Sequence, residues 1–276
     1  MEECLAVVSG GRMRYLVGGS GRPLILLHGI AASSFSFRLN CAELTRRFRV
    51  FVPDLINLVP VNGVSNDYSI PGNAQRILEF LDQLGLQKAD ILGTSHGGAV
   101  IMELASFAPE RFQRMILVAP ANPFAKRYHR ILRFYLSPVG KIFVHLVPYM
   151  PERAWDYGIG RMYADPGEMV AATGFGYARS LRLRGATTRL LSSLATFAED
   201  VENLRPKLQA IAQIPTLIVW GDRDPVVEMK SGCELQQQLR AEMVLMKNVG
   251  HMPYEERPEE FNRIVIEWLE RRSLTA

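Results

Sequence analysis

The chain has 276 residues, of which 48% are hydrophobic and 22% are charged, which fits a globular protein with one large domain or two small ones. Its net charge of +4 comes without a long lysine and arginine run or a basic-aromatic motif, so we exclude nucleic acid as a partner. Three scattered cysteines, Cys4, Cys41 and Cys233, are too few for a disulfide framework or a metal site, which predicts a reducing, cytoplasmic compartment.

Short apolar runs mark the predicted strands. The first two, residues 5–8 and 12–17, are separated by a glycine turn and predict an antiparallel hairpin. Later runs alternate mostly with helix-length segments, which is typical of a parallel sheet buried on both faces. These runs cover residues 24–28, 50–53, 89–92, 115–119, 216–220 and 243–246. Apolar spacing predicts helices at residues 37–48, 70–84, 99–107, 226–239 and 258–271.

A long apolar segment, residues 55–61, follows the second parallel run. We predict a loop here, whose side chains pack under a covering domain or contact a lipid-like substrate.

The alternation of strands and helices stops between residues 119 and 214. This stretch shows no convincing strand and is rich in arginine and proline, so we expect a helical cap at residues 121–199 above a core of residues 1–120 and 200–276. Its longest apolar run, residues 131–150, is interrupted by charges and prolines, which predicts no stable membrane span. The acidic N-terminus is unlike a signal peptide.

Residues 93–97 read Gly-Thr-Ser-His-Gly, between an apolar run and a helical pattern. This context predicts that Ser95 is a nucleophile on a strained strand-to-helix turn. Gly93 and Gly97 would let neighbouring backbone crowd beneath the serine.

The partners of Ser95 are expected at the same edge of the sheet, because ligands of open parallel sheets bind beyond the carboxyl ends of the strands. His251 follows the last predicted strand and is the best candidate for the general base. Asp222 and Asp224 both follow the run at residues 216–220. We prefer Asp224 as the acid that orients His251, because it lies further out and leaves Asp222 to bind the turn backbone.

An acyl-transfer site also needs backbone donors for the oxyanion. Gly29 lets the backbone approach a substrate, and we assign the amide groups of Ile30 and His96 to the oxyanion hole. The imidazole of His28 is expected to hold this loop, and that of His96 to be structural.

Together these motifs resemble the α/β-hydrolase superfamily in its capped, single-domain, esterase- and lipase-like form. The resemblance covers nearly the whole chain and rests on His28-Gly29, Gly93-x-Ser95-x-Gly97, Gly221-x-x-Asp224, Gly250-His251, Pro253, Glu256, Pro258 and Phe261. It implies an α/β fold with a mostly parallel eight-stranded sheet, helices on both faces and a helical cap after the sixth strand. It also implies a triad of Ser95, Asp224 and His251, with no metal or organic cofactor.

Some branches of this superfamily differ from the chain at the site. Haloalkane dehalogenases and epoxide hydrolases carry aspartate where Ser95 stands, so we set them aside. Carbon-carbon hydrolases of ring-cleavage products keep the serine, but usually have a Gly-Pro-rich oxyanion loop and a tryptophan after the histidine. This chain has Ala-Ala-Ser-Ser at residues 31–34 and Met252 at those places.

We therefore predict a serine hydrolase that cleaves carboxylic esters through an acyl-enzyme. The aromatic character of the cap favours a small-molecule ester with an apolar acyl or aromatic group. The alternatives are a carbon-carbon hydrolase of ring-cleavage products, a slow ligand-binding member of the fold, and an interaction module that uses the basic cap. The sequence does not define the oligomeric state.

Overall fold

The computed structural model describes residues 1–60 and 67–271, without the side chains of residues 56–60. Its centre is one sheet of eight strands. The strands are β1 (Glu2–Val8), β2 (Gly11–Gly18), β3 (Pro23–Leu27), β4 (Arg49–Pro60), β5 (Ala89–Thr94), β6 (Phe112–Val118), β7 (Thr216–Gly221) and β8 (Glu242–Met246). Their order is β1-β2-β4-β3-β5-β6-β7-β8. Only β1 with β2 and β2 with β4 pair antiparallel, so the predicted mostly parallel sheet is confirmed.

The helices follow the strands along the chain, as the sequence predicts for an α/β fold. They are α1 (Cys41–Leu44), α2 (Ile70–Gln83), α3 (His96–Phe107), α4 (Tyr128–Leu136), α5 (Pro138–Leu146), α6 (Glu152–Gly160), α7 (Thr173–Leu181), α8 (Ala186–Glu202), α9 (Leu208–Ile211), α10 (Met229–Leu239), α11 (Pro253–Glu256) and α12 (Pro258–Glu270).

Successive side chains of the central strands face two different hydrophobic layers. In β5, Ile91 packs in a layer with residues of α2 and α3, whereas Leu92 packs in a layer with residues of α1 and α12. Both side chains are fully buried. Because neighbouring strand residues point to opposite faces, helices cover both sides of the sheet, and the strands read as continuous apolar runs.

The predicted helix at residues 37–48 is wrong. The structure has a 3-10 helix at Ser34–Phe37 and then only one α-helical turn, α1. Asn40 lies between them, and its side-chain amide donates to the carbonyl oxygen of Tyr254 at 3.0 Å and to Asn262 Oδ1 at 2.9 Å. These tertiary bonds fix Asn40 in place and outweigh the apolar spacing that suggested a continuous helix.

The predicted loop at residues 55–61 is wrong as far as the structure describes it. Strand β4 continues to Pro60 and pairs with β2, so that Met13 lies opposite Leu58. Leu55 is fully buried in the core. This apolar run lies beside a stretch of β2 that would otherwise be unpaired. It forms a strand rather than a loop, because pairing with β2 gives its backbone N–H and C=O groups hydrogen-bond partners. The rest of the predicted loop lies outside the described residues.

Residues 119–215, here called the β6–β7 segment, contain helices α4 to α9. The predicted cap, residues 121–199, lies within this segment, and its predicted end falls inside α8. Over the described ranges of the chain, none of the helices combines the length and apolar character needed to cross a bilayer.

A buried polar cluster around Glu255 of α11 attaches the β6–β7 segment to the core. Glu255 forms an ion pair with Arg38 at 2.7 Å and accepts hydrogen bonds from the hydroxyl groups of Tyr163 at 2.6 Å and Tyr177 at 2.5 Å. Arg38 also donates to Thr173 Oγ1 at 2.8 Å. Burial and the adjacent carboxylate of Glu255 raise the pKa of both tyrosines, so each hydroxyl remains a donor.

Candidate active site

Ser95 occupies the sharp turn between β5 and α3. Its φ is +49° and its ψ is −114°, a strained backbone conformation for a residue with a Cβ. The close approach of the surrounding backbone explains the two flanking glycines. A Cβ on Gly93 would lie 2.4 Å from the carbonyl oxygen of Gly97, and one on Gly97 would lie 2.4 Å from that of Leu27.

Backbone hydrogen bonds hold this turn in place. The amide of Ser95 donates to Val118 O at 2.9 Å, and the carbonyl of Ser95 accepts from the amide of Ala121 at 3.0 Å. Both partners belong to the end of the neighbouring strand β6 and the chain just after it. The serine is therefore fixed at the carboxyl edge of the sheet, and it is only partly buried.

The loop after β8 and the turn after β7 bring His251 and Asp224 together. His251 Nδ1 lies 2.8 Å from Asp224 Oδ2, and the exposed fraction of the two side chains is 6% and 0%. The other oxygen, Asp224 Oδ1, accepts from the amides of Val226 at 2.7 Å and Val227 at 3.0 Å. With Nδ1 bound to the carboxylate, a neutral imidazole keeps Nε2 as its proton acceptor.

Asp222 has a different set of partners. Its Oδ1 accepts from the amide of Asn248 at 2.7 Å, and Lys247 Nζ lies 3.9 Å from its Oδ2. Asp222 thus ties the turn after β7 to the turn after β8, whereas the sequence predicts that it binds the backbone of its own turn.

The two predicted oxyanion donors belong to two segments next to Ser95, the loop after β3 and the start of α3. Gly29 is close enough that a Cβ at this position would lie 3.5 Å from Ser95 Cβ, and Ile30 follows Gly29 directly. His96 follows Ser95 at the first residue of α3. Both amides therefore come from segments that adjoin Ser95.

The imidazole groups of His28 and His96 are fully buried. His28 Nδ1 lies 2.8 Å from Gly29 O, and His28 Nε2 accepts from the amide of Leu55 at 3.0 Å. Burial lowers the pKa of His28, against the opposing effect of the charge on Asp54. Burial, with a smaller contribution from His28, lowers the pKa of His96 to about 3. The contact of His28 with Gly29 O holds the loop after β3, whereas neither ring nitrogen of His96 has a hydrogen-bond partner among the described residues.

Glu256 belongs to the set of residues that resemble the family, but the sequence predicts no role for it. Glu256 is buried and accepts from the amides of Gly250 at 2.9 and 3.0 Å and Met252 at 3.1 Å, the two residues that flank His251. It also accepts from the amide of Ala164 at 2.8 Å. Burial raises the pKa of Glu256, while the three amides lower it. Its position five residues after His251 gives no signal of this role without the fold.

The β6–β7 segment contacts the histidine loop directly. The amide of His251 donates to Met162 O at 2.8 Å. Gly250 is required at this contact because a Cβ there would lie 2.5 Å from the same carbonyl oxygen. On the other side of the site, Ser180 Oγ donates to Ala31 O at 3.4 Å. The segment therefore touches both the histidine loop and the loop after β3.

Within residues 1–60 and 67–271, no group of three or more histidine, cysteine, aspartate or glutamate side chains is arranged to hold a metal ion. Cys41 is buried, and burial raises the pKa of its thiol to about 11. It is therefore a protonated, unreactive thiol at neutral pH.

The sequence profile of the alpha/beta hydrolase family matches residues 24–264 of the chain. The chain belongs to this family. This alpha/beta hydrolase is 30% identical to the pimeloyl-[acyl-carrier protein] methyl ester esterase of Nitrosomonas europaea, a match that covers 88% of this chain and 94% of that one. It is 25% identical to Lipase 3 of Moraxella sp., over 90% of this chain and 78% of the lipase.

Solved structures support the same fold. A meta-cleavage product hydrolase from Pseudomonas fluorescens superposes with a TM-score of 0.80 at 22% identity, covering 96% of this chain and 97% of that one. At this identity the likeness concerns the fold of the alpha/beta hydrolase and not its substrate.

Proposed function

We propose that the protein is a serine hydrolase that cleaves carboxylic esters of apolar acyl or aromatic groups. The observation that carries this proposal is the placement of Ser95 on a strained turn at the same sheet edge as the buried His251–Asp224 pair. An activated serine beside a base oriented by a third group is the arrangement that acyl transfer requires.

The reaction proceeds in two halves. Ser95 Oγ bonds to the ester carbonyl carbon while His251 Nε2 takes the serine proton, and the amides of Ile30 and His96 stabilise the oxyanion. His251 then gives the proton to the alcohol as the carbon-oxygen bond of the ester breaks, leaving an acyl-enzyme. Water, deprotonated by His251, releases the carboxylic acid and restores Ser95. Asp224 orients the imidazole and stabilises its charged form throughout.

The preference for esters is supported by the relatives that are named as an esterase and a lipase. We propose that the β6–β7 segment is the cap that selects the substrate, because it contacts both the loop that carries His251 and the loop that carries Gly29 and Ile30. Its aromatic side chains favour apolar or aromatic groups. They include the partly buried Phe124, Tyr128, Tyr135, Phe143 and Trp155 and the buried Tyr163.

The test is the hydrolysis of p-nitrophenyl esters with acyl chains of two to sixteen carbons by the wild type and by Ser95→Ala. We expect turnover by the wild type, with one preferred chain length, and a loss of at least about 10⁴-fold in kcat for the variant. A fluorophosphonate probe should label the wild type and spare Ser95→Ala.

The wild type and Ser95→Ala also distinguish ester hydrolysis from the alternative, carbon-carbon hydrolysis. A wild type that cleaves 2-hydroxy-6-oxo-6-phenylhexa-2,4-dienoate but no ester would replace ester hydrolysis with carbon-carbon hydrolysis. Phosphonate labelling without turnover of either substrate class would indicate the slow ligand-binding member of the fold.

A further inference from the structure

The hairpin of α4 and α5 exposes a continuous set of apolar side chains, here called the hairpin surface. Its residues are Ile131, Phe134, Val139, Ile142, Leu146 and Tyr149, which are 44, 47, 69, 63, 57 and 83% exposed. Those after position 138 are spaced three or four residues apart, so they lie on one side of α5 and the turn that follows it.

This surface reverses the usual arrangement of a surface helix, which turns its polar side to water. The inward side of α5 is already occupied by the buried Gly140 and Val144. Phe134 of α4 packs against Phe143 of α5 with ring centroids 5.9 Å apart, which makes the exposed residues of the two helices neighbours. A contiguous apolar surface of this kind marks an interaction site.

Basic side chains lie among these apolar residues. Arg130, Arg133 and Lys141 are exposed on the same two helices, and the sequence has no aspartate or glutamate from residue 111 to residue 151. Within the part of the chain that the structure describes, none of these three side chains forms an ion pair. Their charges are therefore available to an external anion.

Two acidic residues act electrostatically on Tyr128 of α4, Glu202 of α8 and Glu228, and Glu202 forms an ion pair with Arg205. The pKa of Glu202, at the end of α8, is lowered mainly by the hydrogen bond that Arg205 donates to it, at 2.6 Å. The nearby His129 lowers this pKa to a smaller extent. The hairpin surface thus keeps a net positive character.

We propose that the hairpin surface docks the protein onto the surface of an anionic lipid bilayer. Apolar side chains would enter the boundary between head groups and acyl chains, while Arg130, Arg133 and Lys141 meet lipid phosphates, which is how interfacial helices bind membranes. A two-fold contact with a second copy fits less well, because it brings identical basic patches together with no acid between them.

The docked hairpin lies one layer of side chains from the candidate site. Tyr128 of α4 packs against Phe197 with centroids 5.4 Å apart, and Phe197 stacks on His96 at 6.1 Å. Docking would therefore place the site close to apolar molecules dissolved in the bilayer.

The test uses the full chain with Ser95→Ala, so that no lipid is hydrolysed and the result is independent of the proposed esterase activity. Binding to sucrose-loaded vesicles is measured by sedimentation, with phosphatidylcholine alone or with 30% phosphatidylglycerol. We expect binding to the anionic vesicles at least about tenfold stronger than to the neutral ones, and weakened by 0.5 M salt.

Two double variants separate the apolar and charged contributions. Adding Ile142→Gln and Leu146→Gln should lower the partition coefficient by about tenfold or more on the anionic vesicles. Adding Arg130→Gln and Arg133→Gln should lower it by about fivefold for each charge on anionic vesicles and leave neutral vesicles unaffected.

Matched pairs elsewhere on the surface serve as controls. Leu5 and Val7 are 51 and 62% exposed on β1, and Arg12 and Lys88 are exposed basic residues outside the β6–β7 segment. Changing either pair to glutamine should leave binding unchanged, and melting temperatures verify that all variants fold.

Three results would overturn the proposal. The first is no binding of the Ser95→Ala protein to anionic vesicles, and the second is an equal loss in the control pairs. The third is a dimer, seen by sedimentation equilibrium without vesicle binding, that the Ile142→Gln and Leu146→Gln changes dissociate. That result would assign the hairpin surface to a second copy of the chain.

Discussion

At the scale of single residues, hydrogen-bond partners give two nearby carboxylates different tasks. Asp224 binds the imidazole of His251 and two amides of its own turn, whereas Asp222 binds the amide of Asn248. The sequence shows both as acids in one turn, and their difference arises from which residue of the loop after β8 each one reaches, Asn248 for Asp222 and His251 for Asp224.

Two asparagine variants test this difference. Asp224→Asn should lower kcat for the preferred p-nitrophenyl ester by about 10⁴-fold, because the amide no longer holds the imidazole in its productive tautomer. Asp222→Asn should keep most of the activity and lose about 1 kcal/mol of stability with its turn contact. Equal activities in the two variants would disprove the assignment of Asp224.

His96 should make the stability of the protein depend on pH. Burial holds its folded-state pKa at about 3, below the value of about 6.5 expected in the unfolded chain. The unfolded state therefore binds a proton first as the pH falls, so the stability contributed by neutral His96 is present above about pH 6.5 and is lost below it.

The variant His96→Leu keeps the backbone amide and removes this titration. Between pH 7 and pH 5 the wild type should lose about 2 kcal/mol more of its free energy of unfolding than the variant does. Urea unfolding at several pH values measures the two curves, and parallel curves would contradict the prediction. The buried His28 leaves a remaining pH dependence in both proteins.

At the scale of elements, α11 joins the histidine loop to the β6–β7 segment through Glu256. The carboxylate binds amides on both sides of His251 and the amide of Ala164. It is therefore a positioning residue for His251, since it fixes the loop and does not itself face Ser95 in any contact that the structure describes.

Glu256→Gln replaces a carboxylate oxygen with an NH₂ group. This group would face backbone N–H groups, so that hydrogen-bond donors meet donors. We expect kcat to fall by up to about 100-fold with a small change in KM, because a displacement of about 1 Å in a catalytic group has an effect of this size. Steady-state kinetics with the preferred ester measure both constants. A lower melting temperature with unchanged kcat would show that Glu256 supports only the fold.

Strands were more predictable from the sequence than short helices and turns. All eight strands follow from apolar runs, because a sheet covered on both faces makes each central strand apolar at every position. The helix at residues 37–48 failed because the tertiary contacts of Asn40 decide that region. The loop at residues 55–61 failed because its pairing with β2 is a long-range contact.

The candidate site shows the same division. Ser95 and His251 were found from short motifs at strand ends, since parallel strands place their carboxyl ends at one edge. Glu256 and the carbonyl of Met162 act through backbone contacts between distant segments. Such contacts leave no local pattern in the sequence, because any residue has an amide and a carbonyl.

At the scale of the whole molecule, the attachment of the β6–β7 segment depends on the buried cluster around Glu255. Its carboxylate has no exposed surface and is shared by Arg38, Tyr163 and Tyr177. The cluster stabilises this attachment only while each of its charged groups keeps its partner, because a buried charge without a partner is strongly unfavourable.

Glu255→Gln should therefore lower the free energy of unfolding by about 3 kcal/mol or more, as it leaves the Arg38 guanidinium without its ion pair. Urea denaturation measures the change. Arg46→Gln, which removes an ion pair exposed at the surface, is the control and should have little effect. Equal effects in the two variants would show that the cluster adds no more than a surface pair.

Glu255 and Glu256 are consecutive residues of one helical turn, and both reach into the β6–β7 segment, at Tyr163 and at Ala164. This places a constraint on recombination within the family. A chimera that receives the helices of a relative between β6 and β7 would also need that relative's α11, although more than forty residues and two strands separate them in sequence. The unit of exchange for the β6–β7 segment is therefore discontinuous in the gene.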